Sequence, residues 1–294
     1  MTTSTPKTSV RKAVSPPAAS LGLAPLGKRP PLPTYIRQVL SRMRFATELA
    51  RSRMNAENEA DRLGVAWIVL RPLINAAVYG SVFSLILPRE GNYVGWIVIG
   101  VFLFQFFSSC FQDGAKAIVQ NMGLVTTLRF PRALLPIAIV VQQTMALGPM
   151  VAVMVVVVVA SKLFRGEDPF TVEWLALIPA LLLFALFNTG VAFFAARITI
   201  HARDIAQLIP FAARILFYLS GVIFEVKDMH GPHVIQTVLN DNPIAIYIEM
   251  ARHGLLDAQW PTMHMWIWGS GVALVMLILG FVWFWQAEEL YGRE

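Results

Sequence analysis

Six stretches of the chain are almost wholly apolar. They are Trp67–Leu87, Tyr93–Phe111, Ala138–Ser161, Trp174–Ala196, Ile205–Phe224 and Met263–Gln286. A membrane-spanning helix needs about 20 mostly apolar residues, so each stretch predicts one span. Among them only Arg71, in the first, and Arg214, in the fifth, carry charge. The third stretch is the least regular. Its apolar run begins near Ala133 and includes Pro136, Gln142, Gln143, Thr144 and Pro149, which predicts a kinked or partly interfacial start.

The flanking segments read differently. Residues 1–33 are rich in Pro, Ser, Thr and Ala, with no run that could form a core, and are expected to be a disordered cytoplasmic tail. From Thr34 to Arg62, apolar Ile36, Val39, Leu40, Met43, Ala46 and Ala50 fall near helical spacing, while Arg37, Arg44 and Arg51 recur every seven residues. That is an amphipathic basic helix, too charged to span. An ordinary solvated face would show the same spacing; the span that follows favours a helix lying at the membrane surface. Between the fifth and sixth spans lies a long loop, Glu225 to Thr262. Its Pro243–Leu256 segment is apolar but too short to cross, and predicts a re-entrant or interfacial helix. The remaining 63–294 form one helical membrane domain.

Composition agrees with this division. The 294-residue chain is 56% apolar and 14% charged, against about 45–50% and about 25% in soluble domains. A soluble enzyme and a disordered chain are both excluded. Of the 24 Lys and Arg, 17 fall on the N-terminal side of the membrane, five on the other and two inside the spans. Cytoplasmic loops collect such residues, so both termini are expected in the cytoplasm of a multi-pass inner (plasma) membrane protein. Most of the asymmetry comes from the N-terminal 66 residues. The single cysteine, Cys110, lies in a Phe-rich run and reads as a small buried hydrophobe.

Catalytic signatures are sparse. Gly22 to Lys28 fits seven positions of a phosphate-binding loop, but Arg29 stands where Ser or Thr should bind magnesium, and a proline-rich tail replaces the required strand and helix. Any ATP-driven motor is therefore expected in another chain. The five histidines are scattered, and Glu167–Asp168 and Glu288–Glu289 read as solvated charges. This argues against an intramembrane enzyme, which needs acid–base or metal groups at depth.

Arg71 and Arg214 are the chemically notable exceptions, roughly 9 Å and roughly 13 Å into their spans at 1.5 Å per residue. Each could simply snorkel or pair with a neighbouring carbonyl. Their forked donors also suit a lipid-linked diphosphate. The aromatics Trp67, Tyr79 and Phe83 fall roughly on one face of the first span, and Phe217 and Tyr218 lie near the end of the fifth. Such rings ordinarily pack cores and interfacial belts; they could also line a path for sugars.

The set of motifs resembles ABC-2 type permeases, specifically the polysaccharide-export branch that handles O-antigen, teichoic acid and galactan. Leu63-Gly64, Trp67, Pro72, Tyr79 and Phe83 resemble its first span. Asn121, then Phe130-Pro131-Arg132 and Leu135-Pro136, resemble its loop between spans two and three, Arg203-Asp204-Ile205 and Phe217-Tyr218-Leu219-Ser220 its fifth helix, and Asn242-Pro243 with Arg252 its outer re-entrant region. Gly221 departs from the proline often found after that serine. The resemblance implies a homodimer joined to two ATPase subunits, with ATP and magnesium bound there and no cofactor or nucleic acid bound here. It implies that Asn121, Arg129–Arg132, Arg203 and Asp204 couple to the ATPase, that Thr34–Arg62 is an interface helix, and that a lipid-linked polysaccharide enters between spans one and five. The Pro/Ala-rich, arginine-heavy style points to galactan. A drug or small-lipid exporter of the same fold is the nearest alternative; a polytopic glycosyltransferase and a scaffold are further ones.

Overall fold

A computed structural model describes residues 29–59, 63–64, 66–86, 92–202, 204–223 and 241–289. They form ten α-helices and no strand: α1 (Leu32–Ser41), α2 (Met43–Glu59), α3 (Ala66–Ile86), α4 (Tyr93–Lys116), α5 (Met122–Thr127), α6 (Leu134–Phe164), α7 (Leu177–His201), α8 (Ile205–Leu219), α9 (Pro243–Leu255) and α10 (Met263–Gln286). A 3₁₀ turn at Val119–Asn121 precedes α5, and another at Val172–Ala176 runs into α7. The expected tail at 1–28, most of the loop at 224–240, Arg203 and the side chain of Phe83 lie outside the described residues.

Among the described residues, four helical segments are long and apolar enough to cross a membrane: α4, α6, the 172–201 segment containing α7, and α10. The apolar parts of α3 and α8 are shorter. The central helix is α4, which packs against α3, α6, α7, α8 and α9. It is buried on every side: Ile97, Ile99, Phe102, Leu103, Phe106 and Cys110, which point in different directions around the helix, are all essentially without exposure. On its far side α7 packs against α10. Small residues set that crossing: a Cβ on Gly280 would lie 2.5 Å from the carbonyl oxygen of Gly190. Backbones approach this closely in apolar bundles only where side chains are absent.

Several boundaries differ from the apolar windows, each for a visible reason. α4 continues to Lys116, because Gln112, Asp113 and Ala115 need not be apolar to be helical. α6 begins at Leu134 as one 31-residue helix. Pro136 falls in its first turn, where backbone N–H groups have no helical acceptor, and Leu134, Leu135 and Pro136 are buried. The Thr34–Arg62 helix is two helices, broken at Arg42. α1 buries Tyr35 and Val39, and α2 buries Ala46 and Ala50, so their apolar faces meet the bundle.

The fifth window ends as a helix at Leu219, five residues early. Ser220 Oγ donates to the Leu216 carbonyl, and Gly221 takes a positive φ of 60°. Any other residue there would be strained. Residues 220–223 leave the helix yet are buried, so their polar groups need protein partners.

Candidate functional site

A cavity of about 400 Å³ opens between α2, α3, α4 and α6. From α4 come Gln105, Ser109 and Asp113, spaced four residues apart and therefore on one helix face. Gln142 and Gln143 face them from α6, and Trp67 and Arg71 from the start of α3. The polar groups are linked: Gln105 Nε2 donates to Ser109 Oγ at 3.0 Å, and Gln143 Nε2 donates to Asp113 Oδ2 at 3.1 Å. The Arg71 guanidinium lies 5.6 Å from the centre of the Trp67 ring. A cation, an aromatic face, three amides, a hydroxyl and a carboxylate thus converge within an apolar bundle. This set can hydrogen-bond a hydroxyl-rich or phosphorylated group. The polar stripe on α4 was missed from the sequence, although its spacing of four within a Phe-rich run was the signal.

The structure separates Arg71 from Arg214. Arg71 borders the cavity; Arg214 does not, and is exposed on α8 in line with Phe211, Ile215 and Tyr218. The aromatics divide too. Tyr79 of α3 packs against Phe217 of α8 with the rings tilted by 39° and centroids 5.0 Å apart, and Phe104 meets Phe217 edge-on at 5.1 Å. This cluster closes α3 and α8 over α4. Trp67 belongs to the cavity, roughly 18 Å along α3 from Tyr79, and Tyr218 is half exposed.

Residues read as coupling elements gather at the end of the bundle where α1 lies. Asn121 is buried and donates to the Ala117 carbonyl. The Arg42 guanidinium donates to the Arg129 carbonyl at 2.7 Å, and Phe130 packs on Phe45 at 5.1 Å. The Pro131 carbonyl accepts from Leu134 N–H at 3.1 Å, starting α6. Asp204 is exposed at the start of α8. Glu288 corrects the sequence reading: it is buried, not solvated. It accepts from Tyr35 Oη at 2.7 Å and from Arg132 N–H at 3.1 Å. Desolvation raises its pKa above the ordinary carboxylate value, and the Tyr35 hydroxyl, the Arg132 N–H and the Arg132 charge oppose that rise. Glu289 accepts from the Arg29 N–H.

The Asn242-Pro243 and Arg252 positions are architectural. Pro243 opens α9 with Asn242 as its cap, Oδ1 accepting from Ile244 N–H. Asn242 Nδ2 donates to the Leu219 carbonyl at 3.0 Å, tying α9 to the end of α8. Arg252 has no exposure. It donates to the carbonyls of Gly221 (2.9 Å), Val222 (3.0 Å) and Trp96 (3.2 Å) and to Glu249 (2.9 Å), and lies 3.5 Å over the Trp96 ring. These bonds satisfy the irregular backbone after α8.

The sequence profile of the ABC-2 type transporter family matches residues 53–256. Two O-antigen export system permease proteins RfbA from Klebsiella pneumoniae are similar, each 23% identical. One match covers 67% of this chain and 76% of the relative, the other 69% and 78%. A protein of the same description from Myxococcus xanthus is 23% identical over 87% of this chain and 94% of its own length. The family match contains every cavity residue and Arg252, but neither α1 nor α10.

Proposed function

The chain belongs to the ABC-2 type transporter family, and on that premise we propose that it is the membrane permease of a polysaccharide exporter. Its cargo is a lipid-linked polymer, O-antigen-like or galactan, moved across the cytoplasmic membrane by ATP hydrolysis in a separate subunit. The observation that carries this reading is the near full-length similarity to the Myxococcus xanthus O-antigen export permease. Homologues that are transport permeases also weigh against an enzyme.

In this reading α3, α4, α6, α7, α8 and α10 are the six spans. α8 has 15 residues, about 22 Å of helix, and buried residues 220–223 with α9 complete the crossing from the outer side. α1 and α2 are the interface helix at the cytoplasmic surface, and both termini are cytoplasmic, as the arginine and lysine distribution favours. Residues 114–132, with Arg203 and Asp204, face two ATPase subunits that bind ATP and magnesium. Arg71, at the mouth of the polar cavity, contacts the substrate diphosphate, joined by Arg214 from α8. Trp67, Tyr79, Phe217 and Tyr218 offer rings to the sugar. Two copies of the permease form the pathway.

The decisive experiment has two arms. Affinity purification of the tagged permease should recover a stoichiometric soluble ATPase, and depletion should cause a lipid-linked polymer to accumulate on the inner leaflet. Absence of both would sink the exporter reading. An ATPase partner without polymer accumulation would favour a drug or lipid exporter of the same fold.

A further inference from the structure

We propose that Glu288 is a positioning residue that locks the α5–α6 loop to α1 and α10, so that movement of this loop is passed to the bundle instead of being absorbed locally. The inference rests on the exporter reading, in which that loop faces the ATPase.

One side-chain cluster joins three segments that are distant in sequence. The Tyr35 hydroxyl, on α1, donates to Glu288 Oε2 and accepts from Ala133 N–H at 3.1 Å. Glu288 Oε1 accepts from Arg132 N–H, and the Arg132 guanidinium donates to the Glu288 carbonyl. A single phenol oxygen therefore bridges α1, the residue before α6 and the end of α10. Ala133, Leu134, Leu135, Tyr35, Phe284 and Ala287 seal the cluster from solvent. Two further ties reinforce it. Trp285 Nε1 donates to the Pro30 carbonyl, and the Arg29 guanidinium lies 3.9 Å over the Trp285 ring.

The loop is gripped at its other end as well. Arg42 holds the Arg129 carbonyl, and Phe45 packs on Phe130. Residues 129–133 are thus held from both sides by the N-terminal helices, and α6 starts at the next residue. A push on this loop has little local slack to take it up.

Stability alone does not call for a carboxylate here. Burying a charge is costly, and an apolar side chain of similar volume in such a site is often neutral or stabilising. A directional, multi-partner acceptor instead fixes the relative placement of three segments. Tyr35 and Glu288 lie outside the family-matched segment 53–256, whereas Arg132 and Ala133 lie within it.

The test uses the permease purified with its ATPase subunits and reconstituted into proteoliposomes, with ATP hydrolysis and polymer export measured in parallel. Tyr35→Phe deletes one oxygen and keeps the ring. Glu288→Gln keeps shape and one acceptor, and Glu288→Ala removes both. Tyr35→Phe loses two hydrogen bonds, so polymer exported per ATP hydrolysed should fall at least about fivefold, the scale of one such bond, while hydrolysis stays near the native rate. Glu288→Gln should hold the ratio closer to native than Glu288→Ala. The ratio is the informative readout, because a purely structural role lowers hydrolysis, export and folded yield together. That joint loss, or a native ratio in well-folded Tyr35→Phe and Glu288→Gln, overturns the inference while leaving the exporter reading intact. A native complex without ATP-driven export overturns both.

Discussion

Arg252 carries a full charge with no solvent contact, and its surroundings explain how that is tolerated. Its guanidinium meets three backbone carbonyls, Glu249 and the Trp96 ring. Two of those carbonyls belong to the buried chain after α8, which has left the helix. Arg252→Ala should therefore cost about 3–5 kcal/mol, the scale for removing one partner from a buried charged network. Arg252→Lys should recover little of it, because an ammonium cannot reproduce the planar fork. Thermal unfolding of the detergent-purified protein would check both; a midpoint within error of the native one would reject the argument. Arg252 and Asn242-Pro243 stood out in the sequence only through their resemblance to the outer re-entrant region of ABC-2 permeases. The acceptors of Arg252 were not legible, because backbone carbonyls leave no trace in a hydropathy pattern. Glu288 misled for a related reason. Its burial comes from Tyr35 and Arg132, 253 and 156 positions away, and beside Glu289 it reads locally as a solvated pair.

At the scale of elements, apolar length finds helices but not their ends. Met263–Gln286 coincides with α10, because Thr262 caps it at one end and the apolar run stops at the other. The fifth window overran α8 because Gly221, Val222 and Ile223 are as apolar as helix but are packed as irregular chain. The break at Arg42 likewise escaped a reading based on periodicity. Packing between elements depends on still less visible features. At the α7–α10 crossing, Gly190 and Gly280 face each other with no room for a side chain. Gly190→Val should force the helices apart and cost about 1–3 kcal/mol or more, as overpacking does. Gly148→Ala in α6 has open space around the new methyl and should be neutral or slightly stabilising. Comparing folded yield and melting temperature of the two variants separates a tight crossing from general intolerance of glycine replacement.

For the whole molecule, exposed apolar surface is uninformative about partners, since a membrane helix turns the same residues to lipid as to protein. Val156 on α6, Ile278 on α10 and Ile215 on α8 are all about equally exposed. Charge distinguishes the faces. Arg71 is exposed beside Ile74, Val78 and Val82 on α3, and Arg214 beside Phe211 and Ile215 on α8. An arginine turned to lipid at membrane depth costs at least about 2.5 kcal/mol by insertion scales. The α3 and α8 faces therefore meet protein or water, whereas the faces of α6 and α10 carry no such signal. If two copies pair, they should pair through α3 and α8. The chain offers a clean test, because its one cysteine, Cys110, is buried and removable. In a Cys110→Ser background, Val78→Cys or Ile215→Cys should cross-link two permeases in native membranes, and Val156→Cys should not. Cross-linking at Val156 alone would place the dimer contact on α6 instead of on α3 and α8. It would also leave Arg214 facing lipid, and the proposed route past Arg71 and Arg214 would lose its second wall.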